Sequence, residues 1–194
     1  MSERLKDKVA LITGGAQGLG KEMAKSMLAE SAHVIIADIN EDKLVEAAKE
    51  LSCSHLILDV TKEEQWQSVI KQITDDTGSL NILVNNAGIG GGGDVEMTDS
   101  ETWDLVHRVN LDSVFLGCKY ALPLMRESGN GSIINISSMS GIVASHNTAA
   151  YNSSKAAVRH LSKSVALHCA KSTNLVRCNS IHPVFTRTAM VQSM

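Results

Sequence analysis

The sequence predicts an α/β fold built on a doubly wound parallel sheet. Short apolar runs alternate with longer helical patterns, the middle of each run is apolar at consecutive positions, and no repeat or linker interrupts the alternation. Consecutive apolar positions are typical of parallel strands that are covered on both faces. We expect the 194 residues, 1–194, to form a single domain with a buried core.

Six strands are predicted in β-α-β order, and right-handed crossovers between them give the doubly wound arrangement. Their centres are rich in Val, Ile and Leu, as in Val-Ile-Ile-Ala-Asp of the second strand. The predicted strands are Val9–Thr13, His33–Asp38, His55–Asp59, Asn81–Asn85, Ser132–Ser137 and Val176–His182.

Three predicted helices begin at recognisable N-caps. Asn40 precedes two acidic residues, which suit the positive end of a helix dipole. Thr61 with Glu64, and Thr98 with Glu101, fit the capping box, in which Glu follows Ser or Thr by three positions.

Two longer helices follow. A long helix that contains residues 103–118 is predicted to bend or end at Pro123, because proline removes a backbone hydrogen bond. The helix after Ala149 carries an apolar stripe at i, i+3 and i+7, which we expect to face the sheet; the stripe consists of Val158, Leu161 and Val165.

Composition excludes several classes of protein. The 18 Lys and Arg nearly balance the 21 Asp and Glu, a net charge of −3 that gives no indication of nucleic-acid binding. No apolar run reaches the roughly 18 residues of a membrane span, and the first residues do not resemble a signal peptide. The four Cys and seven His lack metal-ligand spacing, so we expect no metal, reduced thiols and a cytoplasmic location.

The first strand runs into a glycine-rich segment at residues 13–20, Thr-Gly-Gly-Ala-Gln-Gly-Leu-Gly, and then into a helix. Gly14, Gly18 and Gly20 permit a tight turn and close approach of the backbone to a pyrophosphate, whose charge suits a helix N-terminus. The segment indicates a dinucleotide site of a Rossmann-like fold. An ordinary glycine-rich turn is the alternative.

Asp38 ends the second strand, 18 residues after Gly20. A carboxylate there can accept hydrogen bonds from the adenosine ribose and would repel a 2′-phosphate. No Arg or Lys stands at residues 15–17 or 39–40, so the sequence favours NAD over NADP. The alternative is a surface aspartate that opens a turn.

Tyr151 and Lys155 are four residues apart in a predicted helix and therefore share a face. A nearby ammonium stabilises a phenolate, as a general acid/base requires. A solvated pair on a helix surface is the alternative. The pair gains significance beside the glycine turn and the serines that end the fifth strand, Ser137 and Ser138.

These motifs, in this order, resemble the short-chain dehydrogenase/reductase family, nearest to its NAD-dependent hydroxysteroid and secondary-alcohol dehydrogenases. The resemblance extends from about Lys6 to the last residues. It rests on residues 13–20, Asp38, Asp59-Val60, Asn85-Asn86-Ala87-Gly88, Asn110, Ser138, Tyr151, Lys155 and Asn179-Ser180-Ile181-His182-Pro183.

The resemblance implies four catalytic residues. Tyr151 would exchange a proton with the substrate hydroxyl as hydride moves to or from the nicotinamide. Ser138 would hydrogen-bond the same oxygen. Lys155 would bind the nicotinamide ribose and acidify Tyr151. Asn110 would hold a water that links Lys155 to solvent.

It also implies the cofactor-binding residues, from the adenine to the nicotinamide end. Besides Tyr151 and Lys155 these are Gly14, Gln17, Gly18, Leu19, Gly20, Asp38, Asp59, Val60, Asn86, Ala87, Gly88, Pro183, Thr186 and Thr188.

Structural roles are alternatives for some of these residues. Asn85 and Asn86 could stabilise the end of the fourth strand. Ser137 and Ser138 could form a turn, although the thirteen-residue step to the tyrosine favours Ser138. Asn110 could mark a helix kink, a proton relay, or both.

The chain departs from the family pattern in two ways. Val184 follows Pro183 where the family commonly has glycine, so a Cβ restricts the backbone near the nicotinamide. Family members also usually continue beyond this length with a mobile lid, a seventh strand and a helix. The given sequence is a truncated form, a natural short form or an incomplete record of the chain, and the sequence leaves these alternatives open. If the protein is truly this short, we expect no seventh strand, an unpaired edge at the sixth strand and weak or absent turnover.

The sequence thus predicts an NAD-dependent oxidoreductase that interconverts a small-molecule secondary alcohol and a ketone, assembled as a homodimer or homotetramer. One alternative is an NADPH-dependent 3-ketoacyl reductase. A second is a truncated, non-catalytic protein that binds a dinucleotide, because fold alone does not determine function.

Overall fold

A computed structural model of the chain describes residues 3–91, 93–171 and 176–186. Its six strands form one sheet in the order β3-β2-β1-β4-β5-β6, and all neighbouring strands are parallel. The strands are β1 (Val9–Thr13), β2 (His33–Asp38), β3 (Ser54–Ile57), β4 (Ile82–Asn85), β5 (Ser132–Ile136) and β6 (Arg177–Ile181). The helices are α1 (Gly18–Ala29), α2 (Glu41–Leu51), α3 (Glu63–Thr77), α4 (Ser100–His107), α5 (Ser113–Ser128) and α6 (Ala149–Lys171).

The strand order confirms the predicted α/β doubly wound fold. All six predicted strands are present, and their ends differ from the prediction by at most two residues. The central strands β1 and β4 are buried at every position, as consecutive apolar residues predict. Edge strands β3 and β6 are mostly exposed or half-buried.

Helices cover both faces of the sheet. Ala24 of α1 and Leu44 of α2 pack in one buried cluster. Trp66 of α3, Val114 of α5 and Val158 of α6 pack in the other. The predicted stripe of α6 is confirmed, since Leu161 and Val165 also pack against this second cluster. Among the described residues no helix is long and apolar enough to cross a membrane.

The two predicted capping boxes are wrong, because aspartates beside the threonines take over the local hydrogen bonds. The Thr61 hydroxyl donates to Asp59 Oδ1 at 2.7 Å, and α3 begins two residues later. Asp99 rather than Thr98 caps α4, accepting the Thr102 N–H at 2.7 Å. Aspartate is a better N-cap than threonine.

The predicted helix over residues 103–118 is divided. It ends as α4 at His107, continues as one π-helical turn over Arg108–Asp112, and resumes as α5. Pro123 does not end the helix, which runs five residues beyond it. The irregular turn sits at Asn110 instead, and such turns frequently occur at functional sites.

A polar pair joins β4 to β5 inside the core. Asn85 Nδ2 donates to Asn135 Oδ1 at 2.8 Å, and Asn135 Nδ2 donates to Ser162 Oγ of α6 at 3.0 Å. Asn85 Oδ1 lies so close to Gly117 of α5 that a Cβ there would overlap it. Asn85 therefore stabilises the end of β4, as one of the sequence interpretations allows.

Gly117→Ala tests this packing. Alanine ordinarily stabilises a helix interior by about 1 kcal/mol over glycine, but here the new Cβ would also lie 2.9 Å from Trp66. We expect the free energy of unfolding, measured with urea, to fall by about 1–3 kcal/mol. The exposed control Glu127→Ala in the same helix should change it by less than about 0.5 kcal/mol. A Gly117→Ala protein as stable as the unaltered one would contradict this account.

Candidate active site

A cavity of about 450 Å³ opens at the carboxyl ends of the strands. It is lined by the segments that follow all six strands, and ligands of doubly wound sheets bind where the strand order reverses, here between β1 and β4. A second cavity, of about 520 Å³, lies at the amino ends of β2 and β3, and no predicted site residue lines it.

The glycine-rich turn after β1 is packed too closely for larger residues. Gly14 (φ 64°) and Gly18 (φ 57°) have left-handed backbones. A Cβ on Gly14 would lie 2.9 Å from Ala87 Cα, and one on Gly20 would overlap the Gly14 carbonyl. Asn86 Nδ2 donates to Thr13 O at 2.9 Å and to Gly14 O at 3.0 Å, which holds the turn against the end of β4.

The side chain of Asp38 is held in place at the edge of this turn. Its Oδ2 accepts the Ala16 N–H at 3.3 Å and its Oδ1 accepts the Asn40 N–H at 3.0 Å. Asn40 caps α2 as predicted, accepting the Lys43 N–H at 3.0 Å. The Lys43 ammonium crosses to the glycine turn and donates to Gln17 Oε1 at 3.2 Å.

Tyr151 and Lys155 line the opposite end of the cavity, one turn apart in α6. Lys155 is only 4% exposed, and its Nζ donates to Ile136 O at 2.9 Å. The same Nζ lies 5.8 Å from the centroid of the Tyr151 ring. Burial lowers the pKa of Lys155 from 10.5 to about 8, because an ammonium loses hydration there.

Ser138 follows β5 on the wall beside Tyr151. Its Oγ accepts the Ser140 N–H at 3.1 Å, so its own proton can be donated to a ligand. The Ser138 carbonyl is 3.1 Å from His182 Nδ1, which must carry the hydrogen because a carbonyl only accepts. The other ring nitrogen, Nε2, lies 3.0 Å from Ser180 Oγ.

Asn110 is fully buried in the π-helical turn. Its side chain exchanges two hydrogen bonds with the Ile89 backbone: Oδ1 accepts the N–H at 2.8 Å and Nδ2 donates to the carbonyl at 3.0 Å. Nδ2 also lies 3.2 Å from Ser154 Oγ in α6. A Cβ on Gly88 would lie 3.2 Å from Asn110 Oδ1 and 3.3 Å from Lys155 Nζ, so the segment after β4 runs directly beside the buried lysine.

The loop after β4 and the loop before α6 are joined by backbone hydrogen bonds. Gly93 N–H, after β4, donates to Asn147 O at 2.9 Å, and Ala149 N–H donates to Gly93 O at 3.2 Å. Gly93 has a φ of 119°, which strongly favours glycine. The loop after β4 is therefore fixed to the first residue of α6, two positions before Tyr151.

This geometry agrees with the family comparison. The model of the short chain dehydrogenase family matches residues 8–194. The chain belongs to the short-chain dehydrogenase family. It is therefore an oxidoreductase that interconverts secondary alcohols and ketones with a nicotinamide dinucleotide, NAD or NADP.

Similar proteins include dehydrogenases of both cofactor types. The chain is 42% identical to a 3-beta-hydroxysteroid dehydrogenase of Comamonas testosteroni, over 100% of this chain and 76% of the relative. It is 39% identical to an NADP-dependent (R)-specific alcohol dehydrogenase of Lentilactobacillus kefiri, over 100% and 79%. A crystal structure of a short-chain dehydrogenase/reductase of Burkholderia phymatum in complex with NAD matches with a TM-score of 0.92 and 27% identity, over 98% of this chain and 69% of that one.

Most of the predicted site residues of this short-chain dehydrogenase line the cavity at the carboxyl ends of the strands. Those that line it are Gly14, Gln17, Gly18, Leu19, Asp38, Asp59, Val60, Asn86, Ala87, Gly88, Ser138, Tyr151, Lys155, Pro183 and Thr186. Gly20 and Asn110 lie behind the wall and support it. Thr188 is outside the described residues. Within the described ranges, no group of three or more His, Cys, Asp or Glu could hold a metal ion.

The sequence analysis did not predict the contacts that three residues make beside the cavity. Lys43 lies 26 positions from its partner Gln17, and no local motif links them. Ser154 bonds Asn110 from inside the Tyr-Asn-Ser-Ser-Lys segment, where helical spacing assigns it to another face than Lys155. His182 was identified only as part of a motif, which could have suggested its contact with the serine loop.

Because the Lys155 ammonium of this dehydrogenase is buried, we expect the free energy of unfolding to depend on pH. The folded protein binds the Lys155 proton less tightly than the unfolded chain, so stability should rise between about pH 8 and 10.5. Relative to Lys155→Met, the free energy of unfolding of the cofactor-free protein should increase by up to about 3 kcal/mol over this range. Urea denaturation at several pH values measures it.

The exposed lysine of the same helix serves as control, and Lys163→Met should leave the pH dependence unchanged. Parallel pH curves for the unaltered protein and Lys155→Met would contradict the lowered pKa.

Proposed function

We propose that this chain is an NAD-dependent dehydrogenase of apolar secondary alcohols, with Tyr151 as the general acid/base. One observation carries the proposal: Tyr151, Lys155 and Ser138 line the same cavity as a glycine turn that approaches neighbouring backbone closely. Positioned acid/base and hydrogen-bonding groups beside a dinucleotide are what hydride transfer to or from a carbinol carbon requires.

The residues fit the cofactor, whose nicotinamide carbon accepts or supplies the hydride when bound. Gly14 and Gly18 line the cavity, and Gln17 places no side-chain cap on α1, so the first N–H groups of this helix could bind a pyrophosphate. Asp38 would accept the ribose hydroxyls. The adenine would lie by Asp59 and Val60, the central part by Asn86, Ala87 and Gly88, and the carboxamide by Pro183, Thr186 and Thr188.

The protein's own groups would control the proton. Tyr151 Oη would take the proton of the substrate hydroxyl during oxidation and return it during reduction. Ser138 would donate its hydroxyl hydrogen to the same oxygen, since the Ser140 N–H already occupies a lone pair of its Oγ. Lys155 would stabilise the phenolate electrostatically across the 5.8 Å to the ring, inside a wall that excludes water.

Asn110 would support this arrangement by holding Gly88 and Ile89 against Lys155. The two hydrogen bonds with Ile89 and the contact with Ser154 support this role. In a proton relay, Asn110 would hold a water that links Lys155 to solvent.

An apolar substrate is supported by exposed apolar side chains of the cavity and of the loops that continue from it. Leu105 and Val184 line the cavity and are 47% and 60% exposed. Met139, Ile142 and Val143 follow the lining residue Ser138 and are 40–64% exposed, and Val95 and Met97 follow the lining segment after β4 and are 82% and 77% exposed. Exposed apolar side chains suit a ligand with a large hydrocarbon surface, in keeping with the hydroxysteroid dehydrogenase among the relatives. We further infer a cytoplasmic homodimer or homotetramer, from the family resemblance.

Tyr151→Phe tests the catalytic role. With a secondary alcohol and NAD, we expect NADH formation to fall by about 10²- to 10⁴-fold in kcat, because the acid/base is removed. Tyr120→Phe, at the other tyrosine of the chain, should change kcat by less than about twofold, since the Tyr120 hydroxyl bonds to Glu63 and Gln67 of α3 and does not line the cavity. Equal turnover of unaltered and Tyr151→Phe proteins would remove the catalytic proposal.

Cofactor titrations test the NAD preference. We expect the dissociation constant of NADH, followed by fluorescence, to be at least about tenfold below that of NADPH, because a carboxylate at the ribose repels a 2′-phosphate. Tighter binding of NADPH would overturn the assignment of Asp38 and favour the ketoacyl-reductase alternative.

A further inference from the structure

A lysine of α2 contacts a residue that lines the cavity near the carboxylate of Asp38. Lys43 Nζ is 3.2 Å from Gln17 Oε1, and Gln17 lines the cavity together with Asp38. The Asp38 carboxylate contacts the N–H of Ala16, the residue directly before Gln17. The two charges therefore flank the same short stretch of the glycine turn.

We propose that Lys43 is a 2′-phosphate-binding residue, so that the balance between Asp38 and Lys43 determines how strongly the enzyme discriminates against NADP. The inference rests on the proposed function, in which Asp38 faces the adenosine ribose. Asp38 then makes NAD the preferred cofactor, and Lys43 supplies the affinity for NADP that remains.

The charge of Lys43 is available for such a ligand. Its hydrogen-bond partner Gln17 is a neutral amide, whereas the nearby Lys21 is paired with the Glu50 carboxylate at 2.6 Å. Glu41 and Asp42 precede Lys43 by two and one positions, spacings at which helix side chains do not face each other. Glu46 follows Lys43 by three positions and shares its face, but the ion pairs of the described residues do not include these two.

The charge of the 2′-phosphate is large enough for both Asp38 and Lys43 to change the affinity for NADP. A phosphate monoester carries about −1.5 to −2 at neutral pH, against no charge on the ribose hydroxyl of NAD. The Asp38 carboxylate cannot easily turn away, because two backbone N–H groups hold its two oxygens. Lys43 lies on an exposed, flexible stem and can leave Gln17 for a phosphate.

Four proteins test the inference: the unaltered enzyme, Lys43→Met, Asp38→Asn and the double variant. Dissociation constants are measured for NADH and NADPH by fluorescence, and for adenosine 5′-phosphate and adenosine 2′,5′-bisphosphate by calorimetry. The last two probes differ only in the 2′-phosphate. Lys49→Met, at an exposed lysine of the same helix, is the control.

We expect Lys43→Met to weaken NADPH and the bisphosphate by about tenfold, the size of one charge-assisted hydrogen bond at an exposed site, and to leave NADH and the monophosphate within about twofold. Asp38→Asn should tighten NADPH, and adding Lys43→Met should reverse that gain. Added salt should reduce the Lys43 contribution.

The inference is wrong if Lys43→Met changes the affinities for NADH and NADPH equally, and those for the monophosphate and the bisphosphate equally. Such a result would mean that Lys43 acts through the shape of the turn. It is also wrong if NADPH binds Asp38→Asn and the double variant with the same affinity, or if Lys49→Met matches Lys43→Met. Failure of the unaltered enzyme to bind NADH would instead refute the proposed function, so the two failures are distinguishable.

Discussion

The geometry of the site depends on the burial of one ammonium group. Lys155 is enclosed between α6 and the end of β5, where its Nζ donates to Ile136 O and the Ser137 hydroxyl donates to its carbonyl at 2.7 Å. The chain after β5 approaches so closely that a Cβ on Gly141 would lie 2.6 Å from the same carbonyl. These contacts fix α6 on the sheet, and they thereby hold Tyr151 and the serine loop at one cavity.

Burying a cation destabilises the folded chain, since the ammonium gives up water for a single carbonyl. Hydrogen bonds between the surrounding elements keep the buried ammonium in place. Asn110 and Ser154 tie the π-helical turn and α6 to the segment after β4, and His182 ties the end of β6 to Ser138. The cavity therefore has a positive charge inside its wall at one end and the negative charge of Asp38 at the other, a polarity that suits the orientation of an asymmetric dinucleotide.

The sequence predicted the strands well because a central parallel strand requires consecutive apolar residues, and β1 and β4 satisfy that rule at every position. It failed at helix starts where two cap residues are adjacent, as at Thr98 and Asp99, since only the backbone path decides between them. At Asn110 the sequence offered a helix kink as one of two roles, but no residue pattern identified the irregularity as a π-helical turn. In the site, motifs located the residues with a fixed local spacing, whereas the contact of Lys43 with Gln17 depends on how α2 lies beside the glycine turn.

The hydrogen bonds that join Gly93 to residues 147 and 149 constrain how enzymes of this design can diverge. Neither loop can gain or lose a residue near the junction without displacing the start of α6 and, with it, the phenol. New alcohol specificities should then arise by exchanging side chains such as Ile142 and Val95 on a conserved backbone. Insertions would be tolerated only where the chain is independent of that junction.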